Sequence, residues 1–135
     1  MKKVFLDTYV VLVLILEREY KQEVAQIFAM CEQSLVVLYV SFLTIANLAY
    51  IVRKSRTQRQ LRTIIADLKL FVNVLPMTDE QLCCALLVDG RDFEDILQYE
   101  CAKAFECDVI VSRNKKDFSF SELQVLTPSE YLGNP

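Results

Sequence analysis

The sequence predicts an α/β fold, namely a three-layer α/β/α sandwich around a mostly parallel sheet of about five strands. Short apolar, β-branched segments alternate along the chain with segments whose apolar residues recur at helical spacing. The apolar segments lack polar alternation, so both faces of the sheet are expected to be covered by helices. With 135 residues, Gly 2 and Pro 3, the chain has little room for linkers, which predicts a single domain over 1–135.

Five segments have the character of buried strands. They span residues 3–7, 36–41, 71–76, 108–112 and 124–127. In open parallel sheets, functional sites lie beyond the carboxyl ends of the strands. The polar residues that leave these segments, Asp7, Ser41 and the run 112–114, are therefore candidates for a site.

Helical spacing of apolar residues predicts helices over 20–32, 57–70 and 78–88. In the last of these, Thr78 is followed three residues later by Gln81, which is the pattern of a capping box. Two further helices are predicted from their first residues. Ser41 fits an N-cap ahead of the helical pattern that contains Asn47, although a hydroxyl that contacts a ligand is the alternative.

Asp92 fits the N-cap of the helix that leads into the fourth strand, and it opens a dense group of carboxylates at 92–95. Capping would place Glu94 and Asp95 in the first turn, where the helix dipole favours each negative charge by about 0.3–1 kcal/mol. A bound cation is the other arrangement that makes such crowding tolerable. The local pattern alone leaves both interpretations open.

A second acid argues for the cation. Asp7 ends an apolar strand, where an unpaired carboxylate is costly to bury. Asp7, Asp95, Asn114 and Asp117 are all expected near the same sheet edge, and hard divalent cations take oxygen ligands of this kind.

The composition excludes several classes of function. The chain has no histidine, which argues against an imidazole base and, because the five cysteines lack CxxC spacing, against a structural zinc site. Cys83, Cys84 and Cys101 lie in apolar helical patterns, so buried free thiols and a reducing, cytoplasmic compartment are expected. The N-terminal apolar run is interrupted by Asp7 and is too short to span a membrane, so neither secretion nor a membrane partner is expected.

Basic residues are segregated within a net charge of −3. Eight of the 15 lie in two short runs, 53–62 and 113–116. The first run fits either a solvated face or a phosphate-binding surface, and it contains no aromatic residue, so base stacking is not expected there. Arg113 and Lys115 flank Asn114, and these three residues are the preferred contacts for a substrate phosphate.

Four stretches resemble successive signatures of the PIN domain family, in its single-domain bacterial branch related to VapC-type toxin ribonucleases. They are FLDTYVVLVLILERE, VSFLTIANLAYIVRK, DFEDILQYECAKAFECDVIVSRNKKDF and VLTPSEYL, and they cover nearly the full chain. The third stretch is the most specific. The resemblance implies a parallel-sheet α/β sandwich and Mg²⁺- or Mn²⁺-dependent cleavage of RNA phosphodiesters.

Within this resemblance, Asp7 matches the first metal acid of the family and Asp95 matches the later, helix-borne acid. Asn114 and Asp117 match its final polar positions, and Asn47 stands where many members have a glutamate. The implied metal ligands are therefore Asp7, Asp95, Asp117 and Asn47, with the three acids also catalytic.

Two further departures from the family pattern bear on this site, and the second of them lowers its negative charge. Tyr9 stands where the resembling sequences usually have asparagine, and Val13 stands where many have aspartate. Fewer charges imply weaker binding of a cation. The Tyr9 position also argues against a phosphatase with Asp7 as nucleophile, because such a loop needs a second acid there.

Two functional hypotheses remain open. The first is an active metal-dependent ribonuclease, the toxin of a toxin–antitoxin pair neutralised by an antitoxin. The second is a catalytically weakened PIN-like protein that binds RNA or a protein partner. A homodimer is also expected, with the apolar stretch 10–20 and the helix after it as the contact.

Overall fold

The computed structural model describes residues 1–133 and confirms the predicted three-layer sandwich. Its strands are β1 (Lys2–Leu6), β2 (Val36–Ser41), β3 (Val72–Leu75), β4 (Val109–Val111) and β5 (Gln124–Leu126). All adjacent pairs are parallel, and the order across the sheet is β3-β2-β1-β4-β5. Each predicted strand is present, with ends that shift by no more than one residue. A single domain over 1–135 stays a prediction, since residues 134 and 135 lie outside the described residues.

The helices within residues 1–133 are α1 (Thr8–Ile15), α2 (Lys21–Glu32), α3 (Phe42–Val52), α4 (Gln58–Lys69), α5 (Asp79–Ala85), α6 (Phe93–Ala104) and α7 (Pro128–Gly133). A short 3₁₀ helix at Lys115–Phe118 follows β4. The predicted N-caps are confirmed: the Ser41 side chain accepts from the Thr44 amide at 3.2 Å, and the Asp92 side chain accepts from the Glu94 amide at 2.9 Å.

Helix α5 ends at Ala85, which is earlier than the predicted limit at residue 88. The next two residues, Leu86 and Leu87, are exposed. Because both side chains are mostly in solvent, tertiary burial gives little reason for the helix to continue.

The two faces of the sheet are covered by different helices. Val4 and Leu6 of β1 lie in one apolar cluster, which also contains buried residues of α1, α2, α3, α4 and α7. Phe5 points to the opposite face and packs with Tyr99 of α6 and with Phe118. This alternation is the ordinary geometry of a strand buried on both sides, and it directs attention to the strand ends as the place for a ligand.

The five cysteines are free, as predicted, but the burial expected for two of them is wrong. Cys83 and Cys84 are exposed, whereas Cys101 is buried. Helix α5 buries Gln81 and Ala85, so its other face, which carries Cys83 and Cys84, points outward.

The predicted dimer contact over residues 10–20 is wrong for its first four residues. Val10, Val11, Leu12 and Val13 are completely buried inside the chain as the buried part of α1. Their apolar character therefore serves the core and leaves no surface for a partner. Along residues 1–133, no helix has both the length and the apolar character needed to cross a membrane.

Candidate active site

The site lies where the order of the strands changes direction. From β1 the chain reaches β2 on one side of the sheet, and β4 later pairs with β1 on the other side. Ligands of open parallel sheets bind at such a switch point, outside the carboxyl ends of the strands. Leu6 pairs with Val111 in the register of β1 and β4, so the residues that follow them, Asp7 and Ser112, are neighbours.

Asp7 is held by two hydrogen bonds to its carboxylate. The Thr8 amide donates to Oδ1 at 2.8 Å, which makes Asp7 the N-cap of α1, and the Ser112 hydroxyl donates to Oδ2 at 3.0 Å. Only 5% of Asp7 is exposed. Burial raises the pKa of Asp7 to about 6, although the hydrogen bonds from Ser112 and Thr8 act in the opposite direction.

Asp7 faces a cavity of about 410 Å³ that is strongly acidic. Its carboxylates come from Asp7, Asp92, Glu94, Asp95 and Asp117. Arg113 is the single basic residue among the described side chains that line it, and the others are Thr8, Tyr9, Gln98 and Asn114. The carboxylates predicted to cap helix α6 therefore also belong to the site.

Asp95 lies in the first turn of α6 and is half-buried. Its pKa is raised to about 7, first by burial and then by the negative charges of Asp7 and Asp92. Like charges in one cavity disfavour the ionised form of each other. Positive charge in this cavity would relieve that repulsion.

Asn114 and Asp117 extend the site from the end of β4. The Asn114 side-chain amide donates to Asp117 Oδ2 at 2.6 Å, and its backbone amide donates to the Ser112 hydroxyl at 3.1 Å. Ser112 in turn donates to Asp7. A continuous chain of hydrogen bonds thus joins three of the residues singled out in the sequence, with Ser112 as the link.

A buried polar network borders the cavity and was not expected from the sequence. The Gln98 amide donates to the hydroxyls of Thr8 at 3.0 Å and Thr44 at 2.8 Å, and its carbonyl oxygen accepts from the Ser41 hydroxyl. Gln98 is only 2% exposed. One signal was available, because Gln98 lies three residues after Asp95 and so on the same face of α6.

Two of the residues predicted from the sequence are not among the described residues that line the cavity. Asn47 is half-buried on α3 and is not among the described residues that line the cavity. Lys115 is also outside the cavity lining, and its ammonium group forms an ion pair with Glu130 at 3.1 Å. The structure therefore brings together Asp7, Asp95, Asp117, Asn114 and Arg113, without Asn47 and Lys115.

The donors of the cavity suit a hard divalent cation. Within residues 1–133, no three Asp, Glu, Cys or His side chains converge closely enough to hold a metal ion directly. Mg²⁺ in proteins commonly uses only one or two carboxylates and keeps several water ligands. An acidic cavity with carboxylate oxygens from Asp7 and Asp95 fits that mode of binding.

These features define a class of protein, namely a parallel five-stranded α/β sandwich with an acidic cavity at its switch point. The chain belongs to the PIN domain family, since the family model described as PIN domain matches residues 3–116. No curated protein matches the sequence.

Solved structures share the fold along nearly the whole chain. VapBC2 from Rickettsia felis, bound to a DNA fragment from its promoter, has 16% identity and a TM-score of 0.73, covering 93% of this chain and 98% of the other. VapBC-1 from nontypeable Haemophilus influenzae has 24% identity and a TM-score of 0.71, covering 94% and 98%. FitAcB from Neisseria gonorrhoeae has 17% identity and a TM-score of 0.71, covering 93% and 98%. At these identities the similarity establishes the fold.

Proposed function

We propose that this protein is a metal-dependent ribonuclease that cleaves RNA phosphodiesters with Mg²⁺ or Mn²⁺. Membership of the PIN domain family supports a nuclease in general terms. The observation that carries the finer proposal is that Asp7, from the end of β1, and Asp95, from the start of α6, line one acidic cavity. Both have raised pKa values, first because burial disfavours their charged forms and then because neighbouring carboxylates repel them.

Asp7 and Asp95, with Asp117 beside them, are the residues that would hold the ion. A bound Mg²⁺ or Mn²⁺ would neutralise charge on the phosphate and lower the pKa of a coordinated water. Asp7 is the fixed member of this set, because Ser112 and Thr8 hold both of its oxygens. Asp117 is oriented by Asn114.

Asp95 is the proposed proton acceptor. The chain has no histidine, so a carboxylate must take this role. Asp95 lines the same cavity as Asp7, where a carboxylate can accept a proton directly or through a second water. Arg113 lines the same cavity and would contact a phosphate of the RNA.

A role as the toxin of a toxin–antitoxin pair is part of this proposal. The similarity to VapBC and FitAcB structures, at TM-scores of 0.71 to 0.73, supports it. An antitoxin partner, a homodimer and a cytoplasmic location follow as expectations from the same similarity and from the free thiols.

The second candidate is a PIN-like protein with a weakened catalytic site that binds RNA or a partner. Asn47 favours it, because this residue is neutral and lies outside the cavity lining.

A nuclease assay with Mn²⁺ on structured RNA separates the two candidates. Wild type is expected to cleave, and Asp95→Asn is expected to abolish cleavage while RNA binding is nearly retained. Asp67→Asn is the matched control, because Asp67 is an exposed acid on α4, away from the cavity. Equal cleavage by Asp95→Asn and wild type would show that the catalytic assignment is wrong. RNA binding without cleavage by wild type would favour the second candidate.

A further inference from the structure

The strongest charged surface outside the cavity lies at the junction of α3 and α4. It consists of Arg53, Lys54, Arg56, Arg59 and Arg62, which we call the basic surface, and all five residues are exposed. No acidic residue occurs between Glu32 and Asp67. The chain has a net charge of −3. Because the basic surface contributes +5, the remaining residues carry a net charge of −8. The charge of this protein is therefore sharply polarised.

The cations of the basic surface are not neutralised by carboxylates. The ion pairs found within residues 1–133 involve other lysines, namely Lys21, Lys103 and Lys115. The groups that the arginines do contact are neutral. Arg53 donates to the Tyr50 carbonyl at 3.1 Å, and Arg56 donates to the carbonyl and hydroxyl of Ser55 at 3.3 and 3.2 Å.

The placement of these charges also works against the stability of α4. Thr57 caps this helix, so Arg56 precedes its first turn and Arg59 lies within it. The amino end of a helix carries partial positive charge and favours acids, and α4 has no acid in its first turn. Positive side chains placed there repel the helix dipole and one another. A polyanion bound at this surface would relieve both repulsions.

An exposed aromatic ring completes the surface. The Tyr50 side chain, 58% exposed, lies one turn before the basic run on α3. The Arg53 guanidinium is 4.4 Å from the centre of its ring, and the Lys54 ammonium is 5.5 Å from it. The run itself contains no aromatic residue, but the last turn of α3 brings Tyr50 beside it.

We propose that the basic surface and Tyr50 bind single-stranded RNA, with the cations on successive phosphates and Tyr50 under an unpaired base. Phosphate contacts supply affinity without reading sequence, and aromatic rings stack on any base. An acidic peptide would use the cations but not an exposed stacking ring.

The acidic cavity gives a further reason for such a surface. Without a cation, five carboxylates around one arginine repel an RNA backbone, so cations elsewhere on the protein would add to the energy that holds the RNA. The basic surface would hold the substrate of the proposed ribonuclease, and in that respect its role rests on the proposed function.

Fluorescence anisotropy with a labelled single-stranded RNA of about 12 nucleotides tests the proposal, in EDTA so that no cleavage occurs. The double variant Arg56→Gln/Arg59→Gln should weaken binding and lower the slope of log K against log salt by about 1.4, since each single-strand contact contributes about 0.7. The matched control is Lys2→Gln/Lys21→Gln, which removes the same charge at exposed positions elsewhere and should leave the slope unchanged.

Tyr50 provides an independent readout. Tyr50→Ala should reduce RNA affinity by roughly fivefold or more, while Tyr50→Phe, which keeps the ring, should retain it. Displacement of the RNA by polyglutamate at equal charge concentration, together with no effect of Tyr50→Ala, would overturn the RNA assignment in favour of an acidic peptide. The arginine variant should melt no lower than wild type, because it removes repulsion, and this confirms that it is folded.

The outcomes separate this inference from the proposed function. If the arginine variant binds RNA with the same affinity and salt slope as wild type, the assignment of RNA binding to the basic surface is wrong. The assignment is also wrong if wild type binds no RNA at low salt. If wild type cleaves RNA in Mn²⁺ and the arginine variant binds RNA as wild type does, the role of the basic surface is refuted and the proposed ribonuclease activity stands. Binding that depends on the surface, without any cleavage, would support the surface and count against the ribonuclease.

Discussion

The Ser112 hydroxyl donates a hydrogen bond to Asp7 Oδ2 at 3.0 Å, and this bond joins the ends of two neighbouring strands. Both residues follow paired positions of β1 and β4, so the parallel register sets their separation. Ser112 also accepts from the Asn114 amide at 3.1 Å. One hydroxyl therefore connects the buried acid of the site to the segment that carries Asn114 and Asp117.

Ser112→Ala is expected to destabilise the protein by about 1–3 kcal/mol, because it leaves a buried carboxylate oxygen of Asp7 without its donor. The loss of this bond should also raise the pKa of Asp7 further. Urea unfolding measures the first effect. Ser129→Ala, at an exposed serine, is the control, and an equal loss of stability in both variants would contradict this account.

Stability is expected to fall as the pH rises from about 4 to about 7. Asp7 and Asp95 have pKa values raised from 3.8 to about 6 and about 7, so in this range the folded state holds protons that the unfolded state has released. Their contribution is fully present below the unfolded pKa and is lost as the pH rises through the folded values. Unfolding in EDTA at about pH 5 and about pH 8 measures the change. Asp95→Asn should show a smaller drop than wild type, and an identical drop would refute the assignment to Asp95.

Mn²⁺ is expected to raise the melting temperature through linkage, because it binds the folded cavity and not the unfolded chain. Asp7→Asn should remove most of that increase, whereas Asp67→Asn, outside the cavity, should retain it. Asn47→Ala should also retain the increase in melting temperature, because Asn47 is not among the described residues that line the cavity. Differential scanning fluorimetry at saturating Mn²⁺ provides the measurement. An unchanged melting temperature in wild type would favour a protein with a weakened site.

Gln98→Leu is expected to cost at least about 2 kcal/mol of stability. The substitution removes the partner of three hydroxyls, those of Ser41, Thr8 and Thr44, in a buried network. Gln26→Leu, at an exposed position of α2, should change stability little. If urea unfolding gives similar values for the two variants, the network does not contribute to stability as described.

Arg113 and Lys115 are expected to differ in their effect on RNA binding. Arg113 lines the cavity, whereas Lys115 is engaged by Glu130 at 3.1 Å. Arg113→Ala should therefore lower the slope of log K against log salt by about 0.7, and Lys115→Ala should lower it less. The same anisotropy titration tests both variants, and a larger effect for Lys115 would reverse the assignment.

Local patterns in the sequence determined the elements and their caps. The five strands were predictable because apolar β-branched runs have few alternatives once both faces are buried. The caps Ser41, Thr78 and Asp92 were predictable because each satisfies a nearby amide of its own helix. Asp7 was recognisable because an acid that ends an apolar strand needs a partner. These inferences depend on neighbours within a few residues along the chain.

Only the tertiary structure decided which polar residues share the cavity. Gln98 reaches Thr8 and Thr44 across 90 and 54 residues of sequence, and no local pattern encodes such contacts. Asn47 and Lys115 carried suitable chemistry, but the first lies outside the cavity lining and the second is paired with Glu130. Residue type determines what a side chain can bind, whereas the packing of α3, α6 and β4 against β1 determines what it meets. The physical reason is that side-chain contacts across the sheet follow from strand order and register, which long-range burial selects and which short sequence motifs do not specify.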